Sequence, residues 1–394
     1  MPSDHEMISV APKPSSPGVE AGEPALITGD PAPLFTAETV DGRPFSLATA
    51  AGRYLVLSFI GSRQSPAGAA FLDALPSHDI LRQRQDTALL LVSGDDKDRA
   101  TRDSLPSGIE MIWDSHGTAL ALYRAALPPA AAAAFAQAPF PMTPFPITVV
   151  LNANQRIMAM FIAVDGAIQA AQLAAYVRGM PALPALAHAR PQAPVLVVPY
   201  VFEPALCQRL IAGHQQGETI DSGYMIERNG VTRLVVDHEK KRRYDWIVND
   251  PDLLALIRKR IAARLVPEIR KAFAFEVNSI ERFLVACYDA EGGGYFRRHR
   301  DNTTPATRHR RFAVSLNLNA EEFQGGDLLF PEYGSLIHRP PTGGAVVFSC
   351  SLMHEALPVT KGKRYTFLPF LYDETARQQR AAYLAKSDPS KLVL

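Results

Sequence analysis

A proline- and alanine-rich stretch, PALPALAHARPQAP from Pro181 to Pro194, is the feature that most constrains this chain. Proline fixes φ and removes backbone donors, so the stretch reads as a semi-rigid linker rather than a packed helix or strand. It divides the 394 residues into two bodies of domain size, residues 29–180 and 195–375. Residues 1–28 read as a disordered leader rich in Pro, Ser, Gly and Glu, without the basic start or apolar core of a signal peptide. Residues 376–394 read as a C-terminal tail.

No apolar run reaches the ~18 residues that a membrane span needs. Lys and Arg number 41 against 40 Asp and Glu, which removes the broad basic footprint of a nucleic-acid binder. The three cysteines, Cys207, Cys287 and Cys350, lack CxxC spacing and read as buried thiols rather than a disulfide framework. A soluble cytoplasmic protein is expected, with no membrane and no nucleic-acid partner.

The first body alternates strand and helix signals. Tyr54–Ile60, Ala88–Ser93 and Ile147–Leu151 are apolar, β-rich runs with helix-like stretches between them. That order predicts a sheet covered by helices. In the second body Asp250 is placed to cap a helix with Pro251 at its first position. Leu253, Ile257, Ile261 and Leu265 give that helix one apolar face, and Pro267 ends or kinks it. Strand signals follow at Phe283–Tyr288, Phe312–Leu318, Ala345–Ser349 and Tyr365–Tyr372, predicting a helix-flanked β-sandwich or barrel.

Within those strands lies a metal pattern. His299 and Asp301, two apart in GGGYFRRHRDN, would point to one side of an extended strand. His354 is expected in the same sheet, carried there by the run Ala345–Ser349. Two His and one carboxylate on one face of an ion leave coordination positions open, as in non-haem Fe(II) sites. HxD alone is weak, and Arg364 decides its reading. It opens the strand after the turn at Thr360–Lys363, and a guanidinium there can grip a carboxylate through two parallel hydrogen bonds. A pocket with a metal at one end and an Arg at the other suits a short keto diacid.

The segments CYDAEGGGYFRRHRDN, FAVSLNLNAEEFQGGDLLFPE and GGAVVFSCSLMHEALPVTKGKRYTFLPFLYD resemble the 2-oxoglutarate- and Fe(II)-dependent dioxygenases of the prolyl 4-hydroxylase branch. The resemblance implies a double-stranded β-helix, or jelly-roll, with flanking helices. It implies His299, Asp301 and His354 as iron ligands, Arg364 as the 2-oxoglutarate anchor and Tyr288 as a pocket hydrogen-bond donor. Fe(II), 2-oxoglutarate and O₂ are the implied cofactors, with L-ascorbate needed by some members. The implied reaction hydroxylates a C–H bond of a prolyl or other side chain in a peptide, or of a small metabolite, and releases succinate and CO₂. Relatives that halogenate lack the carboxylate present here as Asp301. Many relatives have Tyr-Leu-Asn where this chain has Asn317-Leu318-Asn319. Two placements of Asn317 stay open: lining the pocket beside Arg364, or facing solvent at a strand edge.

The basic residues around the motif, Arg297, Arg298, Arg300, Arg308, Arg310 and Arg311, with the run Lys240–Arg243, read either as a positive rim for an acidic substrate or as solvated loop charge. The first body resembles the peroxiredoxin and thioredoxin-like superfamily through GDPAPLFTAETVDGRPFSL, YLVLSFIGSRQSPA, IWDSHGTALALYRA and PFPITVVLNANQRIM. Pro146 matches that family's cis-proline position. Its thiol is missing: Gly61-Ser62-Arg63-Gln64-Ser65-Pro66 stands at that place, and a serine hydroxyl cannot replace a thiolate unaided. A docking or structural role is expected there, with Thr143–Pro146 as a binding surface or the whole domain pairing two chains as a homodimer. The alternative for the chain as a whole is a non-catalytic metal-binding or sensory protein that docks through this domain.

Overall fold

The computed structural model describes residues 26–99, 108–125, 127–138, 140–188, 191–228 and 231–386. Most of the expected leader, and residues 387–394 of the expected tail, lie outside these. The described residues fall into two compact units that divide between Ala187 and His188.

The first unit is a thioredoxin-like sheet of seven strands. Their order is Pro44–Ser46, Thr36–Thr39, Ile109–Trp113, Thr87–Ser93, Tyr54–Gly61, Ile147–Leu151 and Ile157–Ile162. The three central strands from Ile109–Trp113 to Tyr54–Gly61 run parallel, and Ile147–Leu151 lies antiparallel to Tyr54–Gly61. Tyr54–Gly61 is apolar along its length because both of its faces are covered. Leu55, Leu57 and Phe59 enter one core, and Tyr54, Val56 and Ile60 enter the other.

Three expectations for this unit change. The peptide bond before Pro146 is not cis; among the described residues the cis bond precedes Pro141. Phe145, just before Pro146, packs edge-on to Phe135 at 5.1 Å. Thr143, Phe145 and Pro146 are buried rather than presented as a surface, and the Thr143 hydroxyl donates to the Ile60 carbonyl at 2.9 Å. The start of the expected linker is also tied down. Arg84 donates to the carbonyls of Val177 and Met180, and Asp86 accepts from the Leu183 amide at 2.8 Å.

The second unit is a jelly-roll of two sheets. The larger contains, in order, Ser279–Glu281, Phe370–Tyr372, Phe312–Asn317, Lys363–Phe367, Leu284–Asp289, Tyr244–Ile247 and Thr219–Asp221, with Ala345–Ser349 also on Phe312–Asn317. The smaller runs Lys241–Arg242, Tyr295–His299, His354–Ala356, Leu328–Leu329 and Ile337–His338. Strand periodicity sorts the larger sheet's side chains. Val285, Cys287, Val314, Leu316, Val347, Tyr365 and Phe367 pack outward on the helices. Leu284, Ala286, Tyr288, Ala313, Val346 and Phe348 pack inward with Phe296, Leu328 and Ala356 of the smaller sheet.

The outer helices are Pro251–Arg264 and Val266–Phe273. Asp250 caps the first by accepting from the Leu253 amide at 2.8 Å, and Pro267 opens the second. The tail expected from residue 376 begins as the helix Glu374–Lys386, with Ala376 fully buried. Ile257 is fully buried between helix and sheet. Ile257→Ala is expected to cost about 2–5 kcal/mol. Trp246 fluorescence during urea unfolding, in a Trp113→Phe background, reads this as a lowered midpoint.

Candidate metal and cosubstrate site

The site lies between the two sheets of the second unit, each of which supplies one end. In the smaller sheet His299 and His354 are direct cross-strand partners. His354 thus shares a sheet with His299, as expected, but Ala345–Ser349 does not carry it there: that strand joins the larger sheet, and the turn after it crosses over. Asp301 is also not on the strand. Tyr295–His299 ends at His299, and Asp301 sits in the following turn, its amide donating to the Cys350 carbonyl at 2.9 Å.

The three side chains nevertheless converge. His299 Nε2 lies 3.6 Å from Asp301 Oδ1, and His354 Nε2 lies 3.4 Å from Asp301 Oδ2. One ligand atom from each residue lies within 4.8 Å of the others. Both rings are oriented by the backbone. His299 Nδ1 faces the Arg297 carbonyl at 2.8 Å, and His354 Nδ1 faces the Leu352 carbonyl at 3.0 Å. A carbonyl only accepts, so each Nδ1 carries the hydrogen and each Nε2 turns its lone pair toward the common point. Phe296 stacks on His299 at 3.5 Å, and Phe348 meets His354 at 4.6 Å.

Burial, then the neighbouring His354, pulls His299 down to about 3, so it is neutral and ready to ligate near neutral pH. Burial alone would raise Asp301, but His354 and His299 outweigh it and hold the carboxyl below its usual range. A neutral His299, an ionised carboxylate and imidazole lone pairs fixed by the backbone fit a divalent first-row ion such as Fe(II).

The larger sheet supplies the other end. Tyr288 and Arg364 are cross-strand partners, and the Arg364 guanidinium lies 5.2 Å from the Tyr288 ring centre. Arg364 Nη2 donates to Ser315 Oγ at 2.8 Å and reaches Asn317 Oδ1 at 3.4 Å. Asn317 is 2% exposed, so of its two open placements the buried one beside Arg364 holds. Gly326 leaves room here: a Cβ on it would stand 3.1 Å from Arg364 Cδ, and its φ of +68° disfavours other residues.

The pocket is also lined by Ser315, on the strand face that carries Asn317, by Lys241 and Arg243 of the basic run, and by Arg282, which the sequence did not single out. Ser315 is signalled by the strand alternation that also turns Asn317 inward. Lys241 and Arg243 are two apart in a basic run and both face in, at 3% and 4% exposure, so the run is not a uniform solvated face. Most of the expected rim is engaged elsewhere. Arg310 pairs with buried Glu281, Arg298 with Glu355 and Arg300 with Glu332.

The sequence model of the 2OG-Fe(II) oxygenase superfamily matches residues 283–372, which span both ends of the site. The second unit carries a 2OG-Fe(II) oxygenase domain. That of the AhpC/TSA family matches residues 28–160, so the first unit is an AhpC/TSA thioredoxin-like domain. A PKHD-type hydroxylase of Cupriavidus metallidurans is 34% identical over 84 residues, 19% of this chain and 37% of that protein. One of Synechococcus sp. is 26% identical over 115 residues, 28% of this chain and 50% of that protein. The chain thus spans half or less of the length of these curated relatives. A Pseudomonas putida prolyl-4-hydroxylase structure aligns at 20% identity and a TM-score of 0.34, over 46% of this chain and 94% of that one.

In the AhpC/TSA domain Ser62 and Ser65 are fully buried. Ser62 donates to Asp95 at 2.6 Å, and Ser65 donates to the Ser62 carbonyl at 2.8 Å. Both hydroxyls are occupied in holding the loop.

Since His299 is depressed in the fold, only the unfolded chain takes up its proton between about pH 6.5 and 3. The metal-free protein is therefore expected to keep this stability above pH 6.5 and lose it as pH falls toward 3. Urea midpoints at pH 7 and pH 5 check this, and His299→Gln should flatten the slope. An unchanged slope in that variant would contradict the assignment.

Proposed function

We propose that the chain is a 2-oxoglutarate- and Fe(II)-dependent hydroxylase, acting on a C–H bond of a prolyl or other side chain in a peptide, or of a small molecule. The observation that carries this reading is the alignment of two preformed ends in one pocket: His299, Asp301 and His354 at one, Arg364 with Ser315 at the other. A purely structural or sensory metal site needs no buried guanidinium facing it.

His299, Asp301 and His354 would hold the metal. Bound iron supplies O₂ activation coupled to oxidative decarboxylation of 2-oxoglutarate to succinate and CO₂. The residues of the chain do the positioning. Arg364 takes the far carboxylate of 2-oxoglutarate, and burial strengthens that contact by excluding competing water. Ser315 and Asn317 hold the guanidinium in place from the neighbouring strand. Tyr288 flanks it, and Phe296, Leu328 and Phe348 keep the remaining wall apolar.

Peptide substrates are in keeping with the PKHD-type and prolyl hydroxylase relatives. L-ascorbate belongs to this reading as an external reductant. A cytoplasmic setting fits the three cysteines, all unpaired and buried; no described helix is long and apolar enough to cross a membrane. The AhpC/TSA domain is assigned docking, of substrate or of a second copy in a homodimer, since its hydroxyls replace no thiolate.

Fe(II)-loaded protein incubated with 2-oxoglutarate should release succinate, measured by NMR, and candidate peptides or acids should raise the rate. Asp301→Ala should abolish release, and Arg364→Met should raise the 2-oxoglutarate concentration needed by tenfold or more. Failure of the wild-type protein to bind 2-oxoglutarate in the presence of Fe(II) or Mn(II) would falsify the reading.

A further inference from the structure

The pocket holds more positive charge than the proposed cosubstrate can neutralise. Arg243 is matched: its Nη2 and Nε each lie 2.7 Å from an oxygen of Asp245. Arg310 is matched by Glu281, whose other oxygen serves His309 at 2.6 Å. On the reading above, iron, Asp301, Arg364 and the two carboxylates of 2-oxoglutarate sum to neutrality. Two lining cations are left over, Lys241 and Arg282.

Among the described residues neither has a carboxylate of its own. Lys241 is 3% exposed, and its Nζ donates to Ser222 Oγ at 2.7 Å and to the Gly223 carbonyl at 2.6 Å. Both acceptors are neutral, and one of its three N–H groups is left over. Ser222 in turn donates to Asp245, which Arg243 already occupies. Arg282 stands on Glu281, but that carboxylate is taken by His309 and Arg310. Its Nη2 meets only the Leu368 carbonyl at 3.3 Å, its guanidinium lies over Phe370 at 4.4 Å, and its Nε is buried without a hydrogen-bond partner.

A backbone conformation also holds Arg282 there: its φ is +66°, a region that non-glycine residues enter at a cost. Burial, then Arg243, pulls the Lys241 ammonium well below its ordinary value, as expected of a cation lacking its anion. Buried charge without a partner is costly, so two such groups lining one cavity mark a place for an anion.

Lys241 also sits toward the metal end. Lys241 Nζ is 4.8 Å from the centre of Phe296, the ring that stacks on His299. Arg364 is held from the other side, by Ser315 and Asn317.

We propose that Lys241 and Arg282 form a second anion subsite, and that the molecule oxidised here carries a carboxylate near its reacting C–H bond. This rests on the 2-oxoglutarate reading and narrows it: the substrate enters as an acid, free or as the acidic end of a peptide. A carboxylate bound there cancels one of the two positive charges left by the loaded cosubstrate and gives both cations a partner, whereas its amide leaves them buried and unpaired.

The test uses the full chain loaded with Mn(II) and 2-oxoglutarate under argon, so that nothing turns over. Calorimetry compares N-acetyl-proline, N-acetyl-leucine and N-acetyl-aspartate with their C-terminal amides, and acetyl-Gly-Pro-Asp with acetyl-Gly-Pro-Asn. At least one acid should bind tenfold or more tighter than its matched amide. Lys241→Met and Arg282→Met should each reduce that preference at least fivefold, while 2-oxoglutarate affinity stays within about twofold. The retained 2-oxoglutarate affinity reports that each variant is folded. Preference among the acetylated amino acids points to a free acid, and preference confined to the tripeptide to an acidic peptide. Equal binding of acids and amides, no binding of any acid, or a preference that survives both variants overturns the proposal. So does loss of 2-oxoglutarate binding in Lys241→Met with retention in Arg364→Met, which would make Lys241 the cosubstrate anchor. Absence of 2-oxoglutarate binding by the wild-type protein would instead defeat the reading beneath it.

Discussion

Each candidate metal-ligating imidazole is steered by a main-chain carbonyl two residues before it. The Arg297 and Leu352 carbonyls take the Nδ1 hydrogens of His299 and His354, so tautomer and ring direction are set by local backbone. The rest of the site follows from that constraint. The rings are cross-strand partners, Phe296 and Phe348 pack against them, and Asp301 swings in from the next turn to face both. The arrangement is preorganised by hydrogen bonds that do not involve a metal.

The opposite end uses the same economy in a different sheet. Strand alternation sends Val314, Leu316, Tyr365 and Phe367 outward to the helices, which leaves Ser315, Asn317 and Arg364 inward. The hydrophobic core behind the sheet and the polar pocket before it are therefore two faces of one pattern. Arg243 and Arg364 flank the Tyr288 ring at 5.7 and 5.2 Å, placing cations on an aromatic surface rather than in open solvent.

Much of this was legible in the sequence, and the misses have physical causes. His299, Asp301, His354 and Arg364 stand out through the HxD spacing, the later His and the Arg ten residues beyond it, together with the family resemblance of the surrounding segments. The strands around Val285, Val314 and Val347 and the helix capped by Asp250 follow from short-range periodicity. The strand Ala345–Ser349 was expected in the sheet of His299 and His354 but joins the other one, because pairing partners are a long-range property that local alternation does not encode. Lys241 stayed open between a functional rim and solvated charge, and Arg282 was missed, because a buried cation and a solvated one look alike in a sequence; only the contacts of Ser222, Gly223 and Leu368 separate them. Pro146 drew a cis expectation from the family resemblance of its segment, and among the described residues the cis bond precedes Pro141 instead.

Tyr288 and Arg364 face each other across two hydrogen-bonded strands. This has a consequence for how the domain can tolerate change in length. A single residue inserted within Lys363–Phe367 would turn Arg364 toward the helices and push Tyr365 or its neighbour into the pocket, exchanging a buried cation for an apolar face on both sides. Two added residues would restore the facing but shift the anchor along the strand by a full pleat. A change in length is therefore better placed in connections such as Pro331–Gly334, outside both strands, because the facing of Tyr288 and Arg364 is fixed by strand register rather than by side-chain choice.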